Sequence, residues 1–292
     1  MLIAFKLKLA LACVAGLAGP FAVGPLVSDM TSHGAPAEPT IVEIAAGDFS
    51  YRAAGDFTRG GQQAEAPLRV VRINRPLHIM RHQVSSSDCQ LCVQDGACRA
   101  LDRDVVVASD RPAVQVSWHD AQSYAGWLSR RTGVNYRLPS DEEWAFAAGS
   151  RFRDDGLPVD TNDPARRWIS RYERESDRDL SDTATYPFDK FGIHEHGVSD
   201  LAGNIWEWTS TCFVRNRVDE TGNAGRQTIN CGVRIAEGAH RAYVTDFIRD
   251  ARAGGCAQGV PPANLGFRLV REEPSWVASV SARLGIGWSA RS

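Results

Sequence analysis

The stretch 200–208 carries two carboxylates on either side of a tight turn. It reads Asp-Leu-Ala-Gly-Asn-Ile-Trp-Glu-Trp, so that Asp200 precedes the turn and Glu207 follows it. Gly203 and the asparagine after it tolerate positive φ and predict the turn. The residues that follow predict a short strand with both indoles on one face and Glu207 on the other. Two carboxylates together with backbone carbonyls would form an oxygen cluster of the kind that binds calcium. The alternative is an acid-flanked structural turn before a core strand.

Six cysteines follow residue 40, and their chemistry has several possible interpretations. An even number of cysteines behind a secretory signal favours disulfides, although the sequence alone does not choose among the pairings. Cys89 and Cys92 have the spacing of a redox motif, but no thioredoxin-like pattern surrounds them. A zinc site is disfavoured because no second Cys-x-x-Cys or His-x-x-x-His pair accompanies them. The six cysteines are Cys89, Cys92, Cys98, Cys212, Cys231 and Cys256.

The composition is that of an ordinary globular protein. The chain has 292 residues, of which 43% are hydrophobic and 23% are charged, and this length suits one large domain or two ordinary ones. The formal net charge of −2 gives no electrostatic reason to expect nucleic-acid binding.

Residues 1–24 are typical of a secretory signal peptide. Two lysines precede an apolar run over residues 9–23, and no acidic residue occurs before Asp29. The run contains glycines and a proline and is shorter than the roughly 20 residues of a membrane-spanning helix. An uncleaved N-terminal anchor is the alternative. Residues 25–40 predict a polar linker, and we expect the protein to be secreted or periplasmic.

Three serines predict the starts of three helices. Ser85, Ser117 and Ser140 are each followed three residues later by an acidic residue, which is the pattern of a helix N-cap. The first helix is expected to stop near Gly96 and the second at Gly133. We expect these helices to be scaffold and not catalytic.

The remaining segments predict short strands and loops. Residues 41–49 and 68–80 predict strands, the second of which a proline interrupts. Residues 150–190 are rich in charges of both signs, which is typical of a solvated loop. Two histidines flank Glu195 in a run that predicts a solvated turn. A metal site at His194, Glu195 and His196 is the alternative, but on a strand His194 and His196 alone would share a side.

Six segments within residues 40–272 carry short motifs in a fixed order. The sequences Glu-Ile-Ala-Ala-Gly-Asp-Phe at 43–49 and Met-Arg-His-Gln-Val-Ser at 80–85 open the series. The others lie at 112–121, 136–144, 200–208 and 264–270. Together they resemble the formylglycine-generating enzyme family, also called the sulfatase-modifying factor family. His82 and Gln83 depart from the family pattern.

The resemblance implies an α+β fold that is formylglycine-generating-enzyme-like and C-type-lectin-like, with little regular secondary structure. It implies a single domain over residues 41–272, followed by a C-terminal tail over 273–292. It also implies a structural calcium site in which the carbonyls of Gly203 and Ile205 join the two carboxylates. The disulfides that it implies are Cys92–Cys98 and Cys212–Cys231, with Cys89 and Cys256 as a third pair or as free thiols.

The chain departs from the family where the chemistry of the enzymes lies. Copper-dependent members use two thiols a few residues apart in the interval that corresponds here to Cys231 to Arg268, and paired thiolates suit monovalent copper. Residues 232–255 contain no cysteine, and His240 and Thr245 stand close to the thiol positions. We therefore expect no copper. Arg268 lies among apolar residues of a closing strand and is expected to be structural.

The same interval is instead rich in polar residues. Arg249 and Arg252 could hold a carboxylate or a backbone segment through bidentate hydrogen bonds. His240 could act as a general base or a metal ligand. These three residues are the catalytic candidates. The alternative is that the arginines pair with Asp246 and Asp250 and only tie the loop together.

Two functions of different classes follow. The first is a non-catalytic binding or scaffolding module, or an accessory maturation factor, that keeps the fold without the copper-thiolate site. The second is a periplasmic enzyme that oxidatively matures a peptide or a peptide-derived small molecule, as relatives acting in pyoverdine maturation suggest. The missing thiols favour the first, since a fold does not fix a function. The partner would be a peptide, a protein or a small molecule. Nucleic acid is not expected, and neither is membrane contact beyond a possible N-terminal anchor.

Overall fold

Short strands and three helices make up the part of the chain that the structure describes. A computed structural model describes residues 38–102, 105–153, 184–219, 224–250 and 264–273. The strands are β1 Ile41–Ile44, β2 Gly47–Arg52, β3 Asp56–Arg59, β4 Gln62–Ala64, β5 Leu68–Ile73, β6 Leu77–Met80, β7 Asn135–Arg137, β8 Trp206–Val218, β9 Ala224–Glu237, β10 Ala242–Thr245, β11 Leu265–Gly266 and β12 Val270–Glu272. The helices are α1 Ser86–Gln94, α2 Trp118–Thr132 and α3 Asp141–Ala148, and a 3-10 turn, Gly149–Arg151, follows α3. The predicted α+β fold class is confirmed.

The three helices begin where their serine caps predict. Ser85, Ser117 and Ser140 each accept a hydrogen bond from the backbone N–H three residues later. In α2 the Asp120 carboxylate also accepts the Ser117 N–H at 2.8 Å, which completes a capping box. The helix ends at Gly133, whose φ of 71° is in the left-handed region. Strictly local hydrogen bonds therefore fix these boundaries.

The predicted strand over residues 41–49 is in fact two strands in two different sheets. β1 pairs with β6, whereas β2 pairs with β5 in a separate two-stranded sheet. The predicted interruption of 68–80 is confirmed, because β5 ends before Pro76 and β6 begins after it. β12 lies between β6 and β7 in the sheet that also contains β1. The last strand of the domain is therefore inserted into the same sheet as the first.

A long hairpin of β8 and β9 carries the stretch around Glu207. Within the described ranges, its sheet has the order β10-β9-β8-β3-β4, and β11 pairs with β8 in parallel. Trp206 and Trp208 at the start of β8 belong to the main core, together with Leu128 of α2 and Phe267. Their indole N–H groups donate to the carbonyls of His240 (3.1 Å) and Val116 (2.8 Å), respectively.

Both disulfides that the resemblance implied are present. Cys92 is bonded to Cys98 beside the end of α1, and Cys212 is bonded to Cys231 across the β8–β9 hairpin. Cys89 is a free thiol buried in the main core. Burial and the charge of the nearby Asp88 raise the pKa of the Cys89 thiol well above its ordinary value, so this thiol is unreactive. Cys256 lies outside the described residues.

The predicted signal peptide 1–24, nearly all of the linker 25–40 and nearly all of the tail 273–292 also lie outside the described residues. Within the ranges that are described, no helix is long and apolar enough to cross a membrane.

Candidate functional site

Asp200 and its neighbours form a strained turn that anchors a preceding loop. Asp200, Ala202 and Asn204 all have positive φ, between 58° and 60°. The Asp200 carboxylate accepts the backbone N–H groups of Asp189 (2.7 Å) and Phe191 (2.8 Å). The carboxylate therefore holds the 189–191 loop against the turn.

Gly203 has a different role from the predicted one. It is not among the positive-φ residues that the structure describes. A Cβ at this position would lie 2.6 Å from the ring of Phe191. The glycine is required because the aromatic ring packs on its backbone, and Asn204 (φ 60°) supplies the left-handed conformation of the turn.

The Glu207 carboxylate is fully buried and accepts hydrogen bonds from three side chains. Arg268 donates to it through Nε (2.5 Å to Oε2) and through a terminal nitrogen (2.6 Å to Oε1). Gln83 donates to Oε1 at 2.8 Å, and the Trp144 indole donates to Oε2 at 2.9 Å. Trp206 and Trp208 belong to the main core, whereas Glu207 between them contacts Trp144 of a second apolar cluster, in agreement with the predicted alternation. Gln83, one of the two departures from the family pattern, is thus a direct partner of Glu207.

The surroundings of Glu207 do not fit a calcium ligand. Four donors occupy both carboxylate oxygens, and the Arg268 guanidinium already balances the negative charge. The Gly203 carbonyl accepts the Ile205 N–H at 2.7 Å. A calcium ion joining Asp200 to Glu207 would have to displace Arg268, so calcium binding stays a prediction that the variant of Arg268 described below can test. The predicted structural role of Arg268 is supported by this ion pair.

The two described catalytic candidates have partners inside the protein. The Arg249 guanidinium donates to Asp120 (2.8 Å), to Asp102 (2.6 Å) and to the carbonyl of Ala100 (3.1 Å). The arginine therefore ties its loop to α2, as the structural alternative expected, but with other acids than Asp246 and Asp250. Burial alone would raise the pKa of Asp120, but the hydrogen bonds from Arg249 and Ser117 outweigh it and lower that pKa.

The His240 side chain packs against Trp206, the first residue of β8. Its ring centroid lies 5.3 Å from that of Trp206, and its Nδ1 lies 2.9 Å from the carbonyl of Arg241. That contact makes Nδ1 the protonated nitrogen, and the buried Nε2 has no hydrogen-bond partner among the described residues. Arg252, the third candidate, lies outside the described residues.

A second buried cluster of charges was not predicted from the sequence. Arg241 donates through Nε to Glu237 at 2.8 Å and lies 3.2 Å from Asp141, and all three side chains are at most 1% exposed. The Tyr51 hydroxyl donates to Asp141. Glu237 also pairs with Glu207 across β8 and β9. Each of the two neighbouring glutamates therefore has its own arginine.

Two acids share one arginine in this cluster, which favours retention of a proton by Glu237. Burial and the Asp141 carboxylate raise the pKa of Glu237 well above its usual value, although Arg241 opposes them. A protonated Glu237 can donate to Asp141 while its carbonyl oxygen accepts from Arg241. The cluster is then neutral overall.

The stability of the Glu237→Gln variant relative to the wild type should increase as the pH rises. Folded Glu237 keeps its proton, whereas the unfolded chain releases it above a pKa of 4.5. The contribution of this protonation to the free energy of unfolding is therefore complete below pH 4.5. It is lost as the pH rises towards the folded pKa of Glu237. Glutamine does not titrate and can make the same two hydrogen bonds. Urea unfolding from about pH 5 to about pH 8 measures the difference, and a difference that does not change with pH would refute the shared proton.

Several known proteins resemble this chain, and a family model matches most of it. The model described as the sulfatase-modifying factor enzyme 1-like domain matches residues 28–273. The formylglycine-generating enzyme of Mycobacterium tuberculosis is 33% identical over 201 residues, which cover 60% of this chain and 62% of that enzyme. The inactive C-alpha-formylglycine-generating enzyme 2 of Bos taurus is 30% identical over 161 residues, which cover 54% of this chain and 49% of that protein.

The fold has a counterpart among solved structures. PvdO from Pseudomonas aeruginosa matches with a TM-score of 0.51 and 22% identity, over 80% of this chain and 95% of that one. Such a likeness shows the fold alone. The two sequence relatives are matched over only 62% and 49% of their lengths. The family model, by contrast, covers most of this sequence, and the chain belongs to the sulfatase-modifying factor enzyme 1-like domain family.

Proposed function

We propose that this chain is an exported member of the family whose domain acts as a non-catalytic binding or scaffolding module, or as an accessory maturation factor. One observation carries the proposal, which is the lack of a thiol pair in the sequence interval where the copper-dependent members have one. Residues 232–255 contain no cysteine. Of the cysteines that the structure describes, four are bonded in pairs and Cys89 is buried in the core.

Two arginines of the interval add support, because they are engaged with the protein itself. Arg241 and Arg249 each contact two carboxylates. An arginine that clamps a substrate needs donors directed at the ligand, and those of Arg249 are directed at α2 and the loop before it. These two arginines therefore stabilise the fold.

The relatives make this use of the fold reasonable. The bovine relative is named an inactive form, and the mycobacterial relative is named a formylglycine-generating enzyme. Both alignments cover about half of this chain or a little more, so either activity reaches this chain only as a proposal. The formal net charge of −2 favours a peptide, protein or small-molecule ligand over nucleic acid.

The activity is tested with a sulfatase-type cysteine peptide. The purified chain is incubated with the peptide, oxygen, a reductant and copper, and the aldehyde product is measured by mass spectrometry. The mycobacterial relative serves as the positive control. We expect no aldehyde above the level of a protein-free sample, with or without copper. Turnover would overturn the proposal.

The exported location is tested separately. Residues 1–40 are fused to a reporter that is active only outside the cytoplasm. We expect activity because the segment has the basic start and apolar run of a signal peptide. A silent but expressed fusion would contradict export without affecting the result of the peptide assay.

A further inference from the structure

Two histidines and a glutamate meet at a turn beside the end of α3, and we name His194, Glu195 and His196 the His-Glu-His cluster. The His194 N–H donates to the Val198 carbonyl at 2.8 Å, and the Gly197 N–H donates to the His194 carbonyl at 2.8 Å. An isolated bridge between residues 193 and 199 closes the turn. The chain therefore bends here, and the strand geometry that would separate Glu195 from the histidines does not apply.

The bend brings three metal-ligating groups to one point. One ligand atom from each residue lies within 4.8 Å of the other two. The His194 side chain is 3% exposed, whereas that of Glu195 is 54% exposed. The cluster therefore has a buried inner side and an open outer side, from which an ion could enter.

We propose that the His-Glu-His cluster binds one divalent transition-metal ion, with zinc as the reference ion. Two imidazoles and one carboxylate are a known protein ligand set for zinc, and they leave a fourth position for water or a ligand. Imidazole nitrogen favours transition metals, whereas calcium and magnesium prefer oxygen ligands alone. This site would be separate from the Glu207 carboxylate and from any thiol chemistry.

The polar contacts within the cluster are too long for hydrogen bonding alone to explain why these side chains converge. His194 Nε2 lies 3.6 Å from Glu195 Oε1 and 3.4 Å from the Ser150 hydroxyl. The Ser150 hydroxyl lies 3.4 Å from Glu195 Oε2. Ordinary hydrogen bonds between such groups are about 2.7–3.0 Å long. The polar groups are gathered without being tightly bonded to one another, as is expected of ligands around a central ion.

The backbone on the inner side supports a cation in two ways. His196 Nδ1 lies 3.4 Å from the carbonyl of Ala147, so that donation there would leave Nε2 as the ligand atom, an arrangement typical of metal-binding histidines. Ala147 belongs to the last turn of α3. The C-terminus of a helix carries partial negative charge, which favours a bound cation.

Gly149 leaves the space that the three side chains need. It has a φ of 49° and caps α3. A Cβ at this position would lie 2.5 Å from Glu195 Oε1 and 2.9 Å from His194 Cε1. A side chain here would therefore push the carboxylate or the imidazole away, and the positive φ itself favours glycine.

The test uses the purified chain without a histidine tag, stripped with a chelator and titrated with zinc by calorimetry. We expect one zinc ion per chain. His196→Gln should weaken zinc binding by more than the roughly 10–100-fold that loss of an outer-shell partner produces. His119→Gln is the matched control, because His119 is 60% exposed and lies outside the cluster. Unchanged zinc affinity in His196→Gln, or no binding by the wild type, would overturn the proposal.

A second variant controls for misfolding, and a second metal ion reports which ligands hold the metal. Glu195→Gln changes a side chain that is mostly exposed, so the fold should survive while the affinity for zinc falls. Cobalt titration should give the visible absorption of a nitrogen and oxygen site. A thiolate charge-transfer band would place the ion at a cysteine and contradict the proposal. An inert binding module could hold this ion equally well, so the result is independent of the peptide assay.

Discussion

Replacing Arg268 by methionine is expected to lower the free energy of unfolding by about 3–5 kcal/mol, the usual effect of removing one partner from a buried ion pair. The Arg268 and Glu207 side chains are both 0% exposed. The variant would leave the Glu207 carboxylate without its counter-charge. It would also remove the donors to the carbonyls of Ser199 (2.9 Å) and Arg81 (2.9 Å). Denaturant unfolding measures the change.

A matched variant and a double variant distinguish the effect of breaking the ion pair from the effect of removing any arginine. Arg72→Met removes an exposed partner of Asp48, and we expect unfolding to be nearly unchanged. Glu207→Gln combined with Arg268→Met should destabilise less than the sum of the two single changes, because the two residues interact directly. Additive effects would show that the ion pair is not the source of the loss.

The same variant decides the calcium prediction. If Arg268 is the counter-charge of Glu207, a chelator should leave the melting temperature of the wild type unchanged. Added calcium should then stabilise Arg268→Met, in which the carboxylate is free to take a cation. A chelator that lowers the melting temperature of the wild type would instead support calcium at Asp200 and Glu207, and it would contradict the ion pair as the resting arrangement.

Arg241→Met is expected to lower the free energy of unfolding by a similar amount near neutral pH, about 3–5 kcal/mol. This change leaves Asp141 and Glu237 buried without a cation. It also removes the guanidinium that lies 5.3 Å from the Tyr51 ring and 5.4 Å from the Phe152 ring. Arg241 opposes the rise in the pKa of Glu237, so its loss should raise that pKa further.

The pH dependence distinguishes this effect from a packing defect. With the higher pKa of Glu237, the folded variant holds its proton more strongly, and its stability falls as the pH rises above 4.5. While both folded proteins hold this proton the deficit of Arg241→Met should be constant, and it should grow once the pH rises above the folded pKa of Glu237 in the wild type. Arg215→Met, which alters a side chain that is 66% exposed, should show no such trend. A deficit that stays constant even above the folded pKa of Glu237 would point to lost packing alone.

Local features of this fold could be predicted from the sequence, because their causes lie within a few residues. The caps at Ser85, Ser117 and Ser140 depend on partners three residues away. The orientation of Glu207 follows from the alternation of a strand. Residue-level signals of this kind need no knowledge of the rest of the chain.

The charge clusters could not be predicted, because their members are far apart in the chain. Glu207 meets an arginine 61 residues later, and its tryptophan partner lies 63 residues earlier. Asp141 and Arg241 are 100 residues apart, and neither sits in a motif that names its partner. The turn at 194–196 was predicted, but the meeting of Glu195 with the two histidines was not. A strand period was used to place their side chains, whereas the described residues here form a turn closed by an isolated bridge.

The position of β12 affects the order in which this protein can be assembled. Residues 270–272 form the strand between β6 and β7, so the sheet that begins at residue 41 stays incomplete until the last part of the domain has been made. Contacts that span this much of the chain form slowly. A growing chain would therefore keep apolar residues such as Ile79, which pairs with Val270, without this partner until β12 has been synthesised. Until that point the nascent chain exposes apolar surface and unpaired strand edges, the features of folding intermediates that chaperones bind.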